Sequence, residues 1–190
     1  MDLHWLANRL PKEESLLAKT KSMSSLIDVT VQSVQRISSE LRPGLLDNLG
    51  LSAAVEWQAR EFEKRTGILF DVEIDPEEIV LDRNRSTAIF RIFQETLTNM
   101  TRHAKASKVE VILKEKSDAI ELKVRDNGRG ITEDQISDPR SFGLMGMRER
   151  VHSLRGYLGI TGTPNKRTTV MVNIPLEKKE ASYDKSIYRR

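Results

Sequence analysis

The sequence predicts an α+β protein, a two-layer α/β sandwich preceded by part of a helical bundle. Three observations give this reading. From residue 51 to residue 176, helix-type and strand-type patterns alternate in the order αβαββ, a loop, then αββ, which calls for one mixed sheet with its helices on one face. Ahead of that stretch, Glu13 to Leu41 contains neither Gly nor Pro and carries a helical apolar seam. The loop inside the αβ order is long, polar and flanked by glycine clusters, the pattern of a functional lid.

Residues 1–10 read as the end of a helix stopped at Pro11. The seam that follows runs through Leu16, Thr20, Met23, Ile27, Thr30, Val34, Ile37 and Leu41 at spacings of three and four. Its two threonines argue against a regular coiled coil. The polar opposite face and the abrupt end at Arg42-Pro43-Gly44 favour a dimerisation helix, although a helix lying on its own domain has the same pattern. Asp47-Asn48-Leu49-Gly50 reads as a turn before a helix over 51–66 that stops at Gly67. Ile68 to Ile74 alternates as a strand, and Asp82 is placed to cap a helix reaching about Ala104. Val109–Glu115 and Ala119–Arg125 form a hairpin around Lys116-Ser117-Asp118. After the loop come a helix near Met145–Leu154 and strands near Tyr157–Thr161 and Thr168–Pro175. The expected organisation is therefore a helical segment over 1–48, an αβ domain over 49–177 and a charged tail over 178–190.

Composition narrows the function classes. Apolar residues make up 38% and charged residues 31% of the 190 residues, a soluble balance. A net charge of +3 from 31 Lys/Arg and 28 Asp/Glu is too even to argue for nucleic acid. The absence of cysteine excludes disulfides, thiolate metal sites and cysteine nucleophiles, and suits a reducing cytoplasm. No apolar run has the length a membrane span needs, and the start lacks the regions of a signal peptide, so any membrane anchor is expected outside these residues.

Three segments carry chemistry. On the helix around Glu95, a 100° increment puts Ile89, Phe93, Thr96, Leu97, Met100 and Ala104 on the sheet-facing arc. Glu95, Asn99, Arg102 and His103 fall on one flank, where hard oxygen ligands would suit a magnesium ion and cations would suit phosphate. A solvated polar flank has the same composition. Next, Arg125-Asp126-Asn127-Gly128-Arg129-Gly130-Ile131 follows a strand. Its carboxylate is able to accept from an exocyclic amine, and its glycines allow close backbone approach to a planar ligand; a surface hairpin turn also reads this way. Last, Gly143-Leu144-Met145-Gly146-Met147-Arg148 opens a helix whose first N–H groups would favour an anion, and an ordinary loop entering a helix is the alternative.

In this order and spacing the three segments resemble the ATP-binding domain shared by gyrase, the Hsp90 chaperones, MutL and the histidine kinases, the Bergerat or GHKL fold. Gln94 to Ala104 is similar to the N box of sensor histidine kinases in the NarL/DesK-like group, Asp126–Gly130 to their G1 box and Ser141 to Val151 to their G2 region. Leu41 to Leu51 resembles the end of that group's dimerisation and phosphoacceptor domain. The resemblance implies ATP and Mg²⁺ as ligands. It implies Asp126 on the adenine amino group, Gly128 and Gly130 wrapping base and ribose, and Asn99 on Mg²⁺ with Glu95 beside it as second polar contact or base. Arg102 and His103 would meet phosphates or line the nucleotide, Gly143 and Gly146 would hinge the lid and present N–H groups to the phosphates, and Leu144 and Met147 would bind the nucleotide with them. Thr168 falls where the family has a threonine near the adenine pocket, but Arg167 stands where a glycine usually precedes it.

The resemblance also implies a phosphorylated histidine followed by an acidic residue. His4, His103 and His152 are followed by Trp5, Ala104 and Ser153, so the acceptor is expected upstream of Met1 and no autophosphorylation is expected of these residues alone. In the intact protein the resemblance implies a homodimer and a response regulator receiver domain as partner, with no nucleic acid and no membrane contact by this portion. Two alternatives remain: an ATPase clamp in which Glu95 activates water, and a degenerate module that only dimerises.

Overall fold

The computed structural model of the chain describes residues 18–20, 22–27 and 44–176. The sequence expectations for residues 1–10, for most of 13–41 and for the tail after Leu176 lie outside those residues. Within the unit Met1–Pro43, residues 18–20 and 22–27 are helical, as the seam predicts; Thr20 is buried, whereas Met23, Leu26 and Ile27 are exposed.

The second unit starts at Gly44. Helix α1 spans Gly44–Thr66 and is broken at Gly50, whose φ of 78° and ψ of 177° are not helical. The turn read at Asp47–Gly50 is thus a kink between two helical pieces, and Gly50 is the residue type that adopts it without a Cβ penalty. Gly67 (φ 73°) ends α1. Strand β1 spans Leu69–Asp75. Helix α2, Arg83–Asn99, is capped as expected by Asp82, whose Oδ1 accepts from the Asn84 and Arg85 amides at 2.9 and 3.1 Å. The last stretch, Met100–Ala104, is a π turn rather than a continuation of the α-helix. It is followed by β2 (Lys108–Glu115), β3 (Ala119–Asp126), the short helix α3 (Glu133–Ser137), α4 (Phe142–Ser153), β4 (Tyr157–Thr163) and β5 (Arg167–Pro175).

The strands form one five-stranded sheet in the order β1-β2-β3-β5-β4. β1 runs parallel to β2 and every other pair is antiparallel, which is the mixed sheet that the element order requires. Alternation does the sorting. On β2, β3 and β5, Val109, Val111, Leu113, Ile120, Leu122, Val124, Val170, Val172 and Ile174 are buried, and the intervening residues form the open face. The sheet-facing arc read on α2 is buried throughout, from Ile89 and Phe93 to Met100 and Ala104. Ala88, Phe90, Arg91 and Ile92 are buried as well, because α1 and α4 both pack on this helix and leave it little free surface.

Candidate functional site

The three chemical segments meet around the C-terminal end of α2. Ala104 closes the π turn, and its carbonyl accepts the Arg129 amide at 2.8 Å. A Cβ on Gly128 would overlap that same carbonyl oxygen, so glycine is what lets the loop after β3 lie on the end of the Asn99 segment. At the other side, a Cβ on Gly143 would overlap the Glu95 Oε1, so the start of α4 is pressed against α2 at the carboxylate. At the next residue, the Thr96 hydroxyl donates to the Ile92 carbonyl at 2.8 Å and lies 3.9 Å from the Met147 sulfur.

Asn99 is the last residue of α2, and its Nδ2 is buried without a hydrogen-bond partner. An amide donor left in that state costs about 1–3 kcal/mol, which a ligand acceptor would offset. The side chain also carries an oxygen suited to a hard cation. Glu95 and Asn99, four residues apart, are both half-buried. Arg102 and His103 lie on the π turn and are exposed. A π turn changes the angular increment per residue, so the flank predicted with 100° steps does not carry past Asn99 unaltered.

Asp126, the last residue of β3, is 6% exposed. Its Oδ1 accepts the Gly128 amide at 2.8 Å, and on β5 Thr168 stands directly opposite it, providing both its amide and its hydroxyl. Burial pushes the carboxyl above the usual carboxylate range, and the bonds from Gly128 and Thr168 offset part of that rise. The Arg167 departure leaves this arrangement intact. Arg167 is an extended strand residue paired with Thr163, and the left-handed position of the β4–β5 turn is taken by Asn165 at φ 57°. The Asn165 amide in turn donates to the Arg129 carbonyl at 2.7 Å. Gly130 (φ 77°) packs under this turn, where a Cβ would overlap the Thr163 carbonyl oxygen.

The expected lid, Ile131 to Phe142, is folded. Thr132 and Gln135 form a reciprocal capping box at α3, and the Arg148 Nη2 donates to the Ile136 carbonyl at 2.8 Å. Helix α4 begins at Phe142, three residues before the sequence-predicted start, so Gly143 and Gly146 lie inside it rather than in a loop. Leu144 and Met147 point into the core at 8% and 0% exposure, whereas Phe142 and Met145 are exposed.

Sequence reasoning passed over two residues that build the site. Asn127 accepts the Ser107 and Lys108 amides on its Oδ1, both at 2.9 Å, and donates to the Ser107 hydroxyl at 2.9 Å. In the sequence, an Asp-Asn-Gly run signals only a turn. Gly162 lies where a Cβ would overlap the Ile131 backbone, a long-range contact with no local signature.

Residues 84–178 match the family described as histidine kinase-, DNA gyrase B- and HSP90-like ATPase. The chain is 34% identical over 167 residues to the signal transduction histidine-protein kinase/phosphatase DegS of Brevibacillus brevis, covering 88% of this chain and 43% of that protein. It is 38% identical over 150 residues to the sensor histidine kinase LiaS of Bacillus subtilis strain 168, covering 77% and 41%. The chain therefore spans under half the length of these curated relatives. Among solved structures, the histidine kinase domain of the blue-light activated kinase from Erythrobacter litoralis EL346 superposes with a TM-score of 0.61 at 22% identity, over 92% of this chain and 93% of that one. At that identity the likeness concerns the fold.

Proposed function

On the premise that the chain belongs to the histidine kinase-, DNA gyrase B- and HSP90-like ATPase family, among sensor histidine kinases of the NarL/DesK-like group, we propose that it binds ATP with Mg²⁺ and forms the catalytic part of a two-component kinase. The observation that carries this reading is the pair of unsatisfied or desolvated polar groups at the site: the orphaned amide of Asn99 and the buried carboxylate of Asp126. A ligand acceptor facing Asn99 and a ligand donor facing Asp126 would offset the cost of burying these groups.

In this reading Asp126 accepts from the adenine amino group, and Thr168 holds the carboxylate in place. Gly128 and Gly130 let the backbone approach base and ribose. Asn99 provides an oxygen to Mg²⁺ and Glu95 a second polar contact or base. The metal would neutralise charge developing on the phosphates. Arg102 and His103, exposed beside the site, would meet phosphate oxygens, and the free amides of Gly143 and Leu144 in the first turn of α4 would face them, whereas Gly146 and Met147 lie past Met145, whose amide is already paired with the Ser141 carbonyl. The acceptor histidine would lie elsewhere in the intact protein, which we read as a homodimer working with a response regulator receiver domain. The exposed Met23, Leu26 and Ile27 on the N-terminal helix support the dimer.

Calorimetric titration with a non-hydrolysable ATP analogue tests the site. Binding is expected to need Mg²⁺ and to weaken by at least about tenfold in Asn99→Ala and Asp126→Asn, the loss expected for one hydrogen bond to a charged group. Equal affinity with and without the metal, or in both variants, would remove the proposal. Labelled ATP added with a histidine-bearing dimerisation domain should give acid-labile phosphate on that domain. Steady release of free phosphate instead would point to the ATPase clamp.

A further inference from the structure

The open face of the sheet carries its own charge pattern, away from the helices and from Asp126, whose side chain lies on the buried face. Toward the β1–β2 edge the charges are paired: Lys114 with Glu73 at 2.6 Å and Lys108 with Asp71 at 3.5 Å. Toward β3, β5 and β4 the balance changes. Lys123, Arg125, Thr161, Thr163, Arg167 and Thr169 line a depression of about 410 Å³. Lys123 and Arg125 are two apart on β3, Thr169 is directly opposite Arg125, Thr161 is directly opposite Thr169, and Arg167 pairs with Thr163. Positions two apart on a strand are about 7 Å from each other, and diagonal neighbours on adjacent strands about 7–8 Å. Arg125 is therefore about 7–8 Å from both Lys123 and Arg167, which lie on either side of it along the same depression.

The only carboxylate touching them among the described residues is Glu110, 3.8 Å from the Arg125 Nη1 at the β2 side; Lys123 and Arg167 have no carboxylate within ion-pair distance there. Every lining side chain is a hydrogen-bond donor, and none is apolar. That composition lacks the apolar or aromatic centre by which a protein partner gains affinity. It suits a small ligand rich in acceptor oxygens and carrying more than one negative charge.

We infer that the outer face of β3, β5 and β4 is a second anion site, built by Lys123, Arg125 and Arg167 with three threonine hydroxyls, for a small phosphate-class polyanion. It is separate from the proposed nucleotide site and does not require that reading.

Pyrophosphate is the probe, added to the full 190-residue chain with a metal chelator present, and amide resonances report where it binds. The expected result is a saturable shift of the Thr161, Thr163 and Thr169 amides. Lys123→Gln combined with Arg167→Gln should weaken it at least tenfold and leave binding of the ATP analogue unchanged, whereas Lys123→Arg should retain it. Both residues point to solvent, and a melting curve confirms that the variants fold. Shifts confined to 126–146 would assign the anion to the nucleotide site and overturn the inference. So would equal binding by the double variant. A poly-glutamate peptide of matched charge that competes as well as pyrophosphate would overturn the phosphate assignment. Failure here leaves the ATP reading untouched, since that reading is tested with Asn99 and Asp126.

Discussion

Asp126–Gly130 and Ile131–Gly146 adjoin in sequence, yet the first segment is fastened mainly through backbone atoms and the second mainly through exposed side chains. The first is bound by the Arg129 amide to the Ala104 carbonyl, by the Asn127 amide to Lys108 and by the Arg129 carbonyl to Asn165, with the Asn127 side chain closing two further amides. In the second, Leu144 is the one buried residue; α3 has none, and the stretch before α4 is tied by the Arg148 guanidinium, a capping box and the exposed Asp138–Arg140 pair. Exposed ties of this kind are weak, and segments held by them open locally at small free-energy cost. The glycines follow the same division. At Gly128 and Gly130 a Cβ meets backbone that has nowhere to go; at Gly146 it meets only the tip of Arg150.

The largest effect is expected at Gly130→Ala. A left-handed φ costs a Cβ-bearing residue about 1–2 kcal/mol, and displacing the Thr163 and Arg167 carbonyls adds to it. A total above about 2 kcal/mol should lower the melting temperature by roughly 5 °C or more in a domain of this size. A melt within a degree of wild type would break the contrast between the two segments at its firm end.

Asn99→Ala comes next and separates stability from binding. Removing an orphaned donor abolishes its desolvation cost, so denaturant unfolding should change by less than about 1 kcal/mol. Nucleotide affinity should nonetheless fall by the tenfold or more already set out. A large stability loss with affinity retained would make Asn99 a packing residue.

Part of this arrangement was legible in the sequence because its cause is local. Asp82 as a cap, the hairpin around Lys116–Asp118 and a break of the helical path at Gly50, expected as a turn and found as a kink, each follow from residues within a turn of one another. The three site segments were visible as residue types at fixed spacing, although their meeting around the end of α2, at Ala104 on one side and Glu95 on the other, was not. What escaped depends on distant partners. Helix α4 starts at Phe142, with Gly143 lying close against Glu95, a residue of another helix. Met147 and Leu144 are drawn into the core by α2, which periodicity read on the short G2 segment alone does not reveal. Arg91, buried on α2 with its Nη1 donating to Gln94 Oε1 at 2.7 Å, has no sequence signal separating it from a surface arginine.

Asp126→Asn sharpens the comparison through pH. Burial raises the carboxyl in the folded chain, while in the unfolded chain it returns to the ordinary range. Between those two values the folded state holds a proton that the unfolded state has released, so this group's contribution to stability falls as pH rises through the window. Asparagine keeps an acceptor for the Gly128 amide without the charge. The variant minus wild-type difference in urea midpoint should therefore become more positive from about pH 4 to pH 7. A difference that is flat or of opposite slope would mean that the bonds from Gly128 and Thr168 outweigh the burial.

The smallest effect, and the one that separates the two kinds of glycine most cleanly, belongs to Gly146→Ala. Gly146 lies within α4 and is absent from the positive-φ positions, so its backbone is already one that alanine favours. Glycine in a helix interior costs about 0.5–1 kcal/mol relative to alanine, and the Arg150 side chain is free at its far end to move aside. Stability should rise by that amount. Affinity for the ATP analogue should fall, because a stiffer α4 start resists the rearrangement of the lid that the proposed role of this segment requires. If stability rises and affinity does not change, the glycine serves neither hinge nor phosphate approach, and the weak ties of Ile131–Gly146 reflect a surface loop rather than a lid.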